Sequence, residues 1–203
     1  MPGFLALIVG CSLHPPGPTE TEAVSQGPKY LSLDDLIQTY SVSRGEGRIR
    51  IRGDKTATLN FQYTLSRDTL FILFKDYLGR RSVFLRVVPD GLTGWNLAEG
   101  RSIPMRQIAR ENPAINLLTP ADLIRLFWGV APDLDYLNSR QSRDKDSVQF
   151  SFTRMESTVG RLIQSAVIST DKFEVELNFQ PRVLGQLETT LGRKIPKTIP
   201  WDL

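Results

Sequence analysis

The sequence is poor in the residue types that most enzyme and metal sites require. Its 203 residues include one Cys and one His. A single Cys excludes an intrachain disulfide, and one Cys with one His makes a Cys/His zinc site implausible. His14, the one candidate for a Ser-His-Asp or Cys-His centre, lies beside Pro15 and Pro16 in a segment with little that could pack. We therefore expect no metal, no cofactor and no catalytic residue, and a protein that is not an enzyme.

Long hydrophobic runs and a large excess of one charge are also missing. The apolar run Phe4–Val9 is far shorter than the ~20 residues of a membrane-spanning helix. A net charge of +3, without an aromatic motif typical of RNA-binding domains, argues against a nucleic-acid partner. With 40% hydrophobic and 23% charged residues, the composition is that of a globular domain with a real core.

The N-terminal residues resemble the processing signal of bacterial lipoproteins. Residues 7–11 are Leu-Ile-Val-Gly-Cys, an apolar stretch and a small residue that lead directly into Cys11. This predicts a signal segment at 1–10, lipidation of Cys11, and a Pro-rich tether at 11–28. Ser12 after the lipidated residue favours the outer membrane by the enterobacterial sorting rule. One departure from such a signal is that residues 1–10 contain no Lys or Arg. The alternative interpretation is a buried strand with an incidental thiol.

Two segments carry helix start signals. Ser32 with Asp35 predicts a capping box. Thr119, Pro120 and Asp122 predict a second one, with Pro at the first helical position and Gly129 at the end. The apolar faces of these two predicted helices consist of Leu33, Leu36, Ile37 and Tyr40, and of Leu123, Ile124, Phe127 and Trp128.

Between and after the helices, apolar residues recur with the period of two that is typical of half-buried strands. The segments 48–52 and 59–65 alternate strictly, and turn signals separate the predicted strands that follow. Five strands run consecutively without a helical crossover, and three more follow the second helix. We predict one α+β domain over 29–203, with a strongly curved antiparallel sheet and helices on one face.

The positive charge is concentrated in the first half of the predicted sheet. Residues 47–110 contain 12 basic and 5 acidic side chains. One interpretation is a solvated sheet face on which charge prevents edge pairing. The other is contact with an anionic membrane surface or an acidic partner.

The succession of these segments resembles the LolA/LolB-like superfamily of lipoprotein carriers and outer-membrane lipoprotein receptors. The similarity covers roughly residues 40–179. It includes Arg-Ile-Arg-Ile-Arg-Gly at 48–53, the strand–loop–strand segment 70–91, and Leu-Ile-Arg-Leu-Phe-Trp-Gly at 123–129. Two departures are Phe61, where the family commonly has Trp, and the segment after Phe179, where the match fades.

The resemblance implies an incomplete β-barrel whose concave face is covered by short helices and binds the acyl chains of lipoproteins. The two helix faces given above would then form a lid. The alternative is that these residues form a closed, dry core. From strand alternation, the predicted cavity lining is Leu59, Phe61, Tyr63, Leu70, Ile72, Phe74, Val83, Leu85 and Trp95.

The resemblance also implies a protruding loop that touches the membrane. The matching segment contains Tyr77, Leu78, Arg80 and Arg81. Leu78 would enter the acyl region while the guanidinium groups stay at the headgroups. The alternative is that Leu78 packs on the sheet as an ordinary residue at a strand end.

The function expected is therefore that of a monomeric, lipid-anchored outer-membrane protein that faces the periplasm and helps to insert lipoproteins, with a periplasmic carrier upstream. One alternative is an envelope lipoprotein that serves as a structural or interaction subunit. A second is a carboxylate-dependent enzyme such as a glycosidase, for which Asp34 with Asp35, and Asp133 with Asp135, offer pairs that capping or turn roles explain equally well.

Overall fold

One antiparallel sheet dominates the described part of the chain. The structure, a computed structural model, describes residues 32–54, 56–76, 78–104, 106–108, 118–133 and 148–186. Helices α1 (Leu33–Thr39) and α2 (Pro120–Trp128) accompany ten strands in these residues, and residues 106–108 are also helical. The strands are β1 (Val42–Arg52), β2 (Ala57–Ser66), β3 (Thr69–Lys75), β4 (Arg81–Val88), β5 (Gly91–Asn96), β6 (Arg101–Ile103), β7 (Gln149–Ser157), β8 (Gly160–Ser169), β9 (Glu174–Phe179) and β10 (Val183–Gly185).

The strands form a single open sheet. Their order is β6-β5-β4-β3-β2-β1-β9-β8-β7, and β10 pairs with β1. Every pairing between described strands is antiparallel, and within the described residues β6 and β7 do not pair with each other. The predicted five-strand meander and the three later strands are confirmed. The first strand begins at Val42 rather than at Arg48, and the sequence did not predict β6 or β10.

Alternation decides which face of each strand is buried. On β2, Phe61, Tyr63 and Leu65 are buried, whereas Asn60 before Phe61 and Gln62 after it are exposed. This is the pattern of a strand with one face on the core and the other in water. The inward faces of β2, β3, β4, β8 and β9 contribute to one core.

Both predicted capping boxes are present. The Oγ of Ser32 accepts from the N–H of Asp35 at 3.1 Å, and the Asp35 carboxylate accepts from the N–H of Ser32 at 3.2 Å. Thr119 and Asp122 form the same reciprocal pair at α2. Helix α2 ends at Gly129, whose φ of 94° lies in the left-handed region that glycine adopts without steric cost.

Helix α2 packs on the sheet through aromatic contacts. The Phe127 ring lies 5.6 Å from that of Phe61, 4.9 Å from that of Tyr63 and 5.2 Å from that of Phe179, measured between ring centroids. Such tilted and edge-to-face pairs stabilise beyond the area they bury. They fix α2 against the centre of the sheet, where β2, β1 and β9 are neighbours.

Candidate functional site

An apolar cavity of about 100 Å³ lies between the sheet and α2. Among the described residues that line it, every side chain is aliphatic or phenyl. An apolar cavity stays dry and accepts nonpolar guests. The lining consists of Ile49, Ile51, Leu59, Phe61, Ile72, Phe74, Val83, Leu85, Ile103, Ile108, Leu118, Leu123, Phe127, Ile168, Val175 and Leu177.

On β2, β3 and β4, the residues that line the cavity become less buried toward one end. On β3, Ile72 is buried and Phe74 is half-buried; on β4, Leu85 is buried and Val83 is half-buried. The same gradient runs along β2, and Phe74 and Val83 are register partners. The exposed end, which we call the mouth, is therefore the end of the sheet at which β3 and β4 are connected.

Most of the residues predicted to line the cavity do border it. Leu59, Phe61, Ile72, Phe74, Val83 and Leu85 lie on its wall. That they bind acyl chains stays a prediction. Tyr63 and Leu70 are buried in the core but are absent from the wall.

Trp95 requires a correction, because it lies on the opposite face of the sheet. Its indole contacts the ring of Phe84 at 5.8 Å between centroids, and Phe84 alternates with the cavity residues of β4. The inward residue of β5 at this level is Gly94. A Cβ there would lie 2.5 Å from Cδ1 of Ile108, so Ile108 occupies the space that a side chain on Gly94 would need.

The two helices differ in whether their side chains border the cavity. On α2, Leu123 and Phe127 border the cavity, whereas Ile124 and Trp128 are buried in the core. The prediction that α1 faces the cavity is wrong for the described lining. That helix is seven residues long and contacts α2. Its side chains belong to the core or pack against it: Leu33, Leu36, Ile37 and Tyr40.

Several lining residues were missed from the sequence. On β1 and β9, the lining residues alternate visibly with polar ones: Ile49, Ile51, Val175 and Leu177. The pairing of β1 with β9, however, joins segments more than 120 residues apart, and Arg50 and Glu176 are separated by 126 residues. Alternation assigns residues to a face and does not identify the partner strand. The remaining missed residues are Ile103, Ile108, Leu118 and Ile168.

The loop at the mouth is ordered by one carboxylate. Asp76 Oδ1 accepts from the backbone N–H groups of Leu78 and Arg80, both at 2.9 Å, and Oδ2 accepts from Arg80 Nε at 2.7 Å. Desolvation acts to raise the pKa of Asp76, but the hydrogen bonds and charge of Arg80, with the N–H of Leu78, outweigh it and lower the pKa. Gly79 has a φ of 77°, which this tight turn requires.

Leu78 is presented to solvent by this loop. Its relative exposure is 60%, so it does not pack on the sheet as the alternative interpretation supposed. Arg80 and Arg81 are also exposed. Tyr77 lies outside the described residues. The structure thus places an exposed leucine and two arginines beside the cavity mouth.

A half-buried arginine at the opposite side of the core was not predicted. Arg182 donates from Nε to the carbonyl oxygen of Phe127 at 3.1 Å and from Nη2 to that of Leu126 at 3.2 Å. Its Nη1 donates to the carbonyl oxygen of Ile163 on β8. These bonds satisfy carbonyls at the C-terminal end of α2, where a cation is also favoured by the helix dipole.

The surroundings of Arg182 are aromatic as well as polar. Its guanidinium carbon lies 4.2 Å from the centroid of the Phe179 ring. Burial lowers the pKa of Arg182, and burial raises the pKa of Tyr63, although the nearby Arg182 charge opposes that rise. Tyr63 Oη lies 3.3 Å from the Oγ of Ser43. The cluster joins α2, β8, β2 and β1.

Among the carboxylates considered for catalysis, that of Asp35 has a structural role. Asp35 belongs to the capping box of α1, and Asp122 accepts from the N–H of Asp133 at 3.1 Å. Asp135 lies outside the described residues. Within the residues that the structure describes, no group of three His, Cys, Asp or Glu residues is placed to hold a metal ion.

The predicted signal segment, Cys11 and the tether at 11–28 also lie outside the described residues. Neither α1 nor α2 has the length and apolar character that crossing a membrane demands. No protein-family model matches the chain, and no curated protein matches it.

Proposed function

We propose that this protein is a lipid-anchored envelope protein that takes acyl chains of lipoproteins into the apolar cavity and helps to insert them into the outer membrane. The supporting observation is the position of the cavity mouth. It lies at the end of the sheet that carries the exposed Leu78, so a chain that leaves the cavity would emerge beside the loop suited to touch a bilayer.

The sheet itself is proposed to be a strongly curved, incomplete barrel that α2 covers on its concave face. Neighbouring strands lie ~4.8 Å apart, so the eight strands from β6 to β8 would span roughly 34 Å if the sheet were flat. Yet Ile103 on β6 and Ile168 on β8 line one cavity of about 100 Å³. Curvature brings them together, and Leu123 and Phe127 of α2 lie over the same space.

The cavity in this conformation accepts the end of one hydrocarbon chain. An apolar cavity of about 150 Å³ holds one benzene, so a space of this size takes only a few carbon atoms. Burying four methylenes would contribute roughly 3 kcal/mol. A longer chain requires a wider mouth. We expect the half-buried side chains of Leu123 and Ile103 to move apart when such a chain enters.

Transfer would follow contact of the loop with the bilayer. Leu78 inserts at the acyl boundary while Arg80 and Arg81 stay among the headgroups. Lipidation of Cys11 would hold the domain at the outer membrane, facing the periplasm, where a soluble carrier delivers the cargo. Cys11→Ala is expected to release the protein from the membrane fraction; continued fractionation with membranes would contradict the anchor.

Lipid mass spectrometry on the purified full chain tests the proposed cargo site. We expect acyl-bearing molecules to co-purify with the wild type, and Val83→Trp, which narrows the mouth, to remove them. Val88→Trp is the matched control, since Val88 lies on the same strand with its side chain on the other face. Equal lipid content in wild type and Val83→Trp would contradict the proposal.

A structural or interaction subunit is the second candidate. The observation in its favour is a row of half-buried aromatic residues on the outer face of the sheet. Phe71 stacks on Phe84 at 6.0 Å, and Phe84 contacts Trp95 at 5.8 Å. If no lipid co-purifies and a fluorescent fatty acid shows no saturable uptake, this outer row becomes the better candidate for the functional surface.

A further inference from the structure

Three cations form a row across the outer face of the sheet. Lys75 on β3 is the register partner of Asn60 on β2 and of Arg81 on β4. Arg48 on β1 is also a register partner of Asn60, and it donates to the side-chain oxygen of Asn60 at 3.4 Å. Asn60 is exposed and alternates with Phe61, which lines the cavity. Because directly opposed residues of antiparallel strands share a face, the three cations, which we call the basic row, lie on the face opposite to the cavity.

The charge of the basic row is not neutralised by carboxylates in the described part of the chain. The next arginine on the same face of β1, Arg50, differs because it pairs with Glu176 at 3.4 Å. Glu46, two residues before Arg48, accepts from Gln62 at 3.5 Å. The carboxylate that orders the loop is held by groups of the loop itself. Since like charges directly opposite each other on neighbouring strands are destabilising, an anionic surface placed against the row would relieve this repulsion.

The basic row is continuous with the loop at the mouth. Lys75 ends β3 and Arg81 begins β4, so these two cations flank the loop on either side. Between them, Leu78 is 60% exposed. Peripheral proteins bind anionic lipid surfaces through this combination, because apolar groups enter the acyl boundary while cations attract acidic headgroups. Continuity with the exposed leucine favours a lipid surface over an acidic protein as the partner of the row.

We propose that the basic row docks the domain on a membrane that contains anionic phospholipids, with headgroup phosphates taking the place of the missing carboxylates. This inference rests on the proposed contact of the loop with the bilayer and adds the charge of the lipid surface. It also adds an orientation. Contact through the loop alone leaves the domain free to rotate about its tip. The row extends from the loop to β1, which lies two strands away from β3, about 10 Å across the sheet, and so turns the outer face toward the headgroups.

Vesicle binding measures the contribution of the basic row. The full chain with Cys11→Ala, which excludes lipidation, is sedimented at neutral pH and low salt with vesicles of phosphatidylcholine, or of phosphatidylcholine and phosphatidylglycerol in equal amounts. We expect Arg48→Gln/Arg81→Gln in this chain to bind the anionic vesicles about thirtyfold more weakly than the parent, because two cations near such a surface are lost. Binding to the neutral vesicles should not differ, and high salt should abolish the difference.

Arg67→Gln/Arg86→Gln is the matched control. It removes the same charge from two exposed arginines outside the basic row. Arg67 lies in the turn between β2 and β3, at the opposite end of the sheet from the loop, and Arg86 lies further along β4. We expect this control to bind anionic vesicles almost as the parent does. Because all four side chains are exposed, both double variants should unfold at the temperature of the parent.

Three results would overturn the basic row as a docking site. They are equal weakening in both double variants, which would mean that net charge alone governs binding, parental affinity in Arg48→Gln/Arg81→Gln, and a parent that does not prefer anionic vesicles. The proposed function is tested separately, by transfer of a fluorescent fatty acid from the parent to vesicles of phosphatidylcholine alone. Transfer to these neutral vesicles leaves the proposed function standing if the basic row fails, and its absence contradicts the proposed function.

Discussion

The guanidinium of Arg182 donates a 3.1 Å hydrogen bond to the carbonyl oxygen of Phe127, whose ring forms part of the cavity wall. Helix α2, which lines the cavity through Leu123 and Phe127, is therefore held in place by a side chain from the segment between β9 and β10. Because the guanidinium also reaches β8 through Ile163, it couples the position of α2 to the strand beneath it.

Replacing Arg182 should destabilise the fold markedly. Arg182→Met removes the side-chain donor to the carbonyls of Leu126, Phe127 and Ile163, of which that of Leu126 keeps the N–H of Gly129 at 3.0 Å, and we expect a loss of about 3 kcal/mol in the free energy of unfolding. Arg182→Lys should retain only part of this stabilisation, since one ammonium group cannot donate to three carbonyl oxygens that lie in different directions. Urea denaturation measures both, with Arg48→Met on the exposed face of β1 as the control. A loss no larger than in the control would contradict this role.

Two glycines on one strand should respond differently to the same substitution. Gly94→Ala places a Cβ 2.5 Å from Ile108, and the core must shift; we expect a cost of about 1–3 kcal/mol. At Gly91 the nearest atom lies 4.0 Å away, so Gly91→Ala should be close to neutral. Thermal unfolding of the two variants distinguishes them. Equal effects would show that Ile108 is not packed as described.

Leu78→Glu should separate uptake from transfer. The side chain is 60% exposed, so its loss leaves the core intact, while a carboxylate at the tip opposes insertion among acyl chains. We expect unchanged binding of a fluorescent fatty acid and at least tenfold slower transfer to liposomes. Val183→Glu, at a residue of 64% exposure on β10, is the control. Transfer at the wild-type rate would remove the loop from the mechanism.

The loop should lose its order in acid. Because the pKa of Asp76 is lowered in the folded state, its contribution to stability is present above the ordinary carboxyl value near 3.8 and is lost as pH falls through the lowered value. Amide hydrogen exchange at Leu78 and Arg80 should accelerate, relative to the rest of β3 and β4, over that window. In Asp76→Asn the fast exchange should already be present at pH 6. Equal protection in the wild type and in Asp76→Asn at pH 6 would contradict the assignment.

Local sequence signals predicted the local structure well. The Ser32–Asp35 and Thr119–Asp122 pairs located both helix starts, because capping depends only on residues three apart. The alternation in β2 assigned Phe61 to the inward face for a similar reason. Each of these features is decided within one element of secondary structure.

What the sequence could not predict depends on distant segments. The pairing of β1 with β9 and the hydrogen bond of Arg182 to Ile163 join parts of the chain that only the fold brings together. Strand alternation alone placed Trp95 in the predicted cavity lining. The inward position belongs instead to Gly94, since Ile108 from a later segment fills that space.

Binding of a hydrocarbon chain in the cavity can be observed by nuclear magnetic resonance of the methyl-labelled full chain during titration with 1-dodecanol. We predict saturable one-to-one binding, with shift changes and ligand contacts at Leu59, Val83 and Leu123 and none at Val88 on the outer face. Changes confined to the outer face, or the absence of saturation, would contradict an acyl-binding cavity.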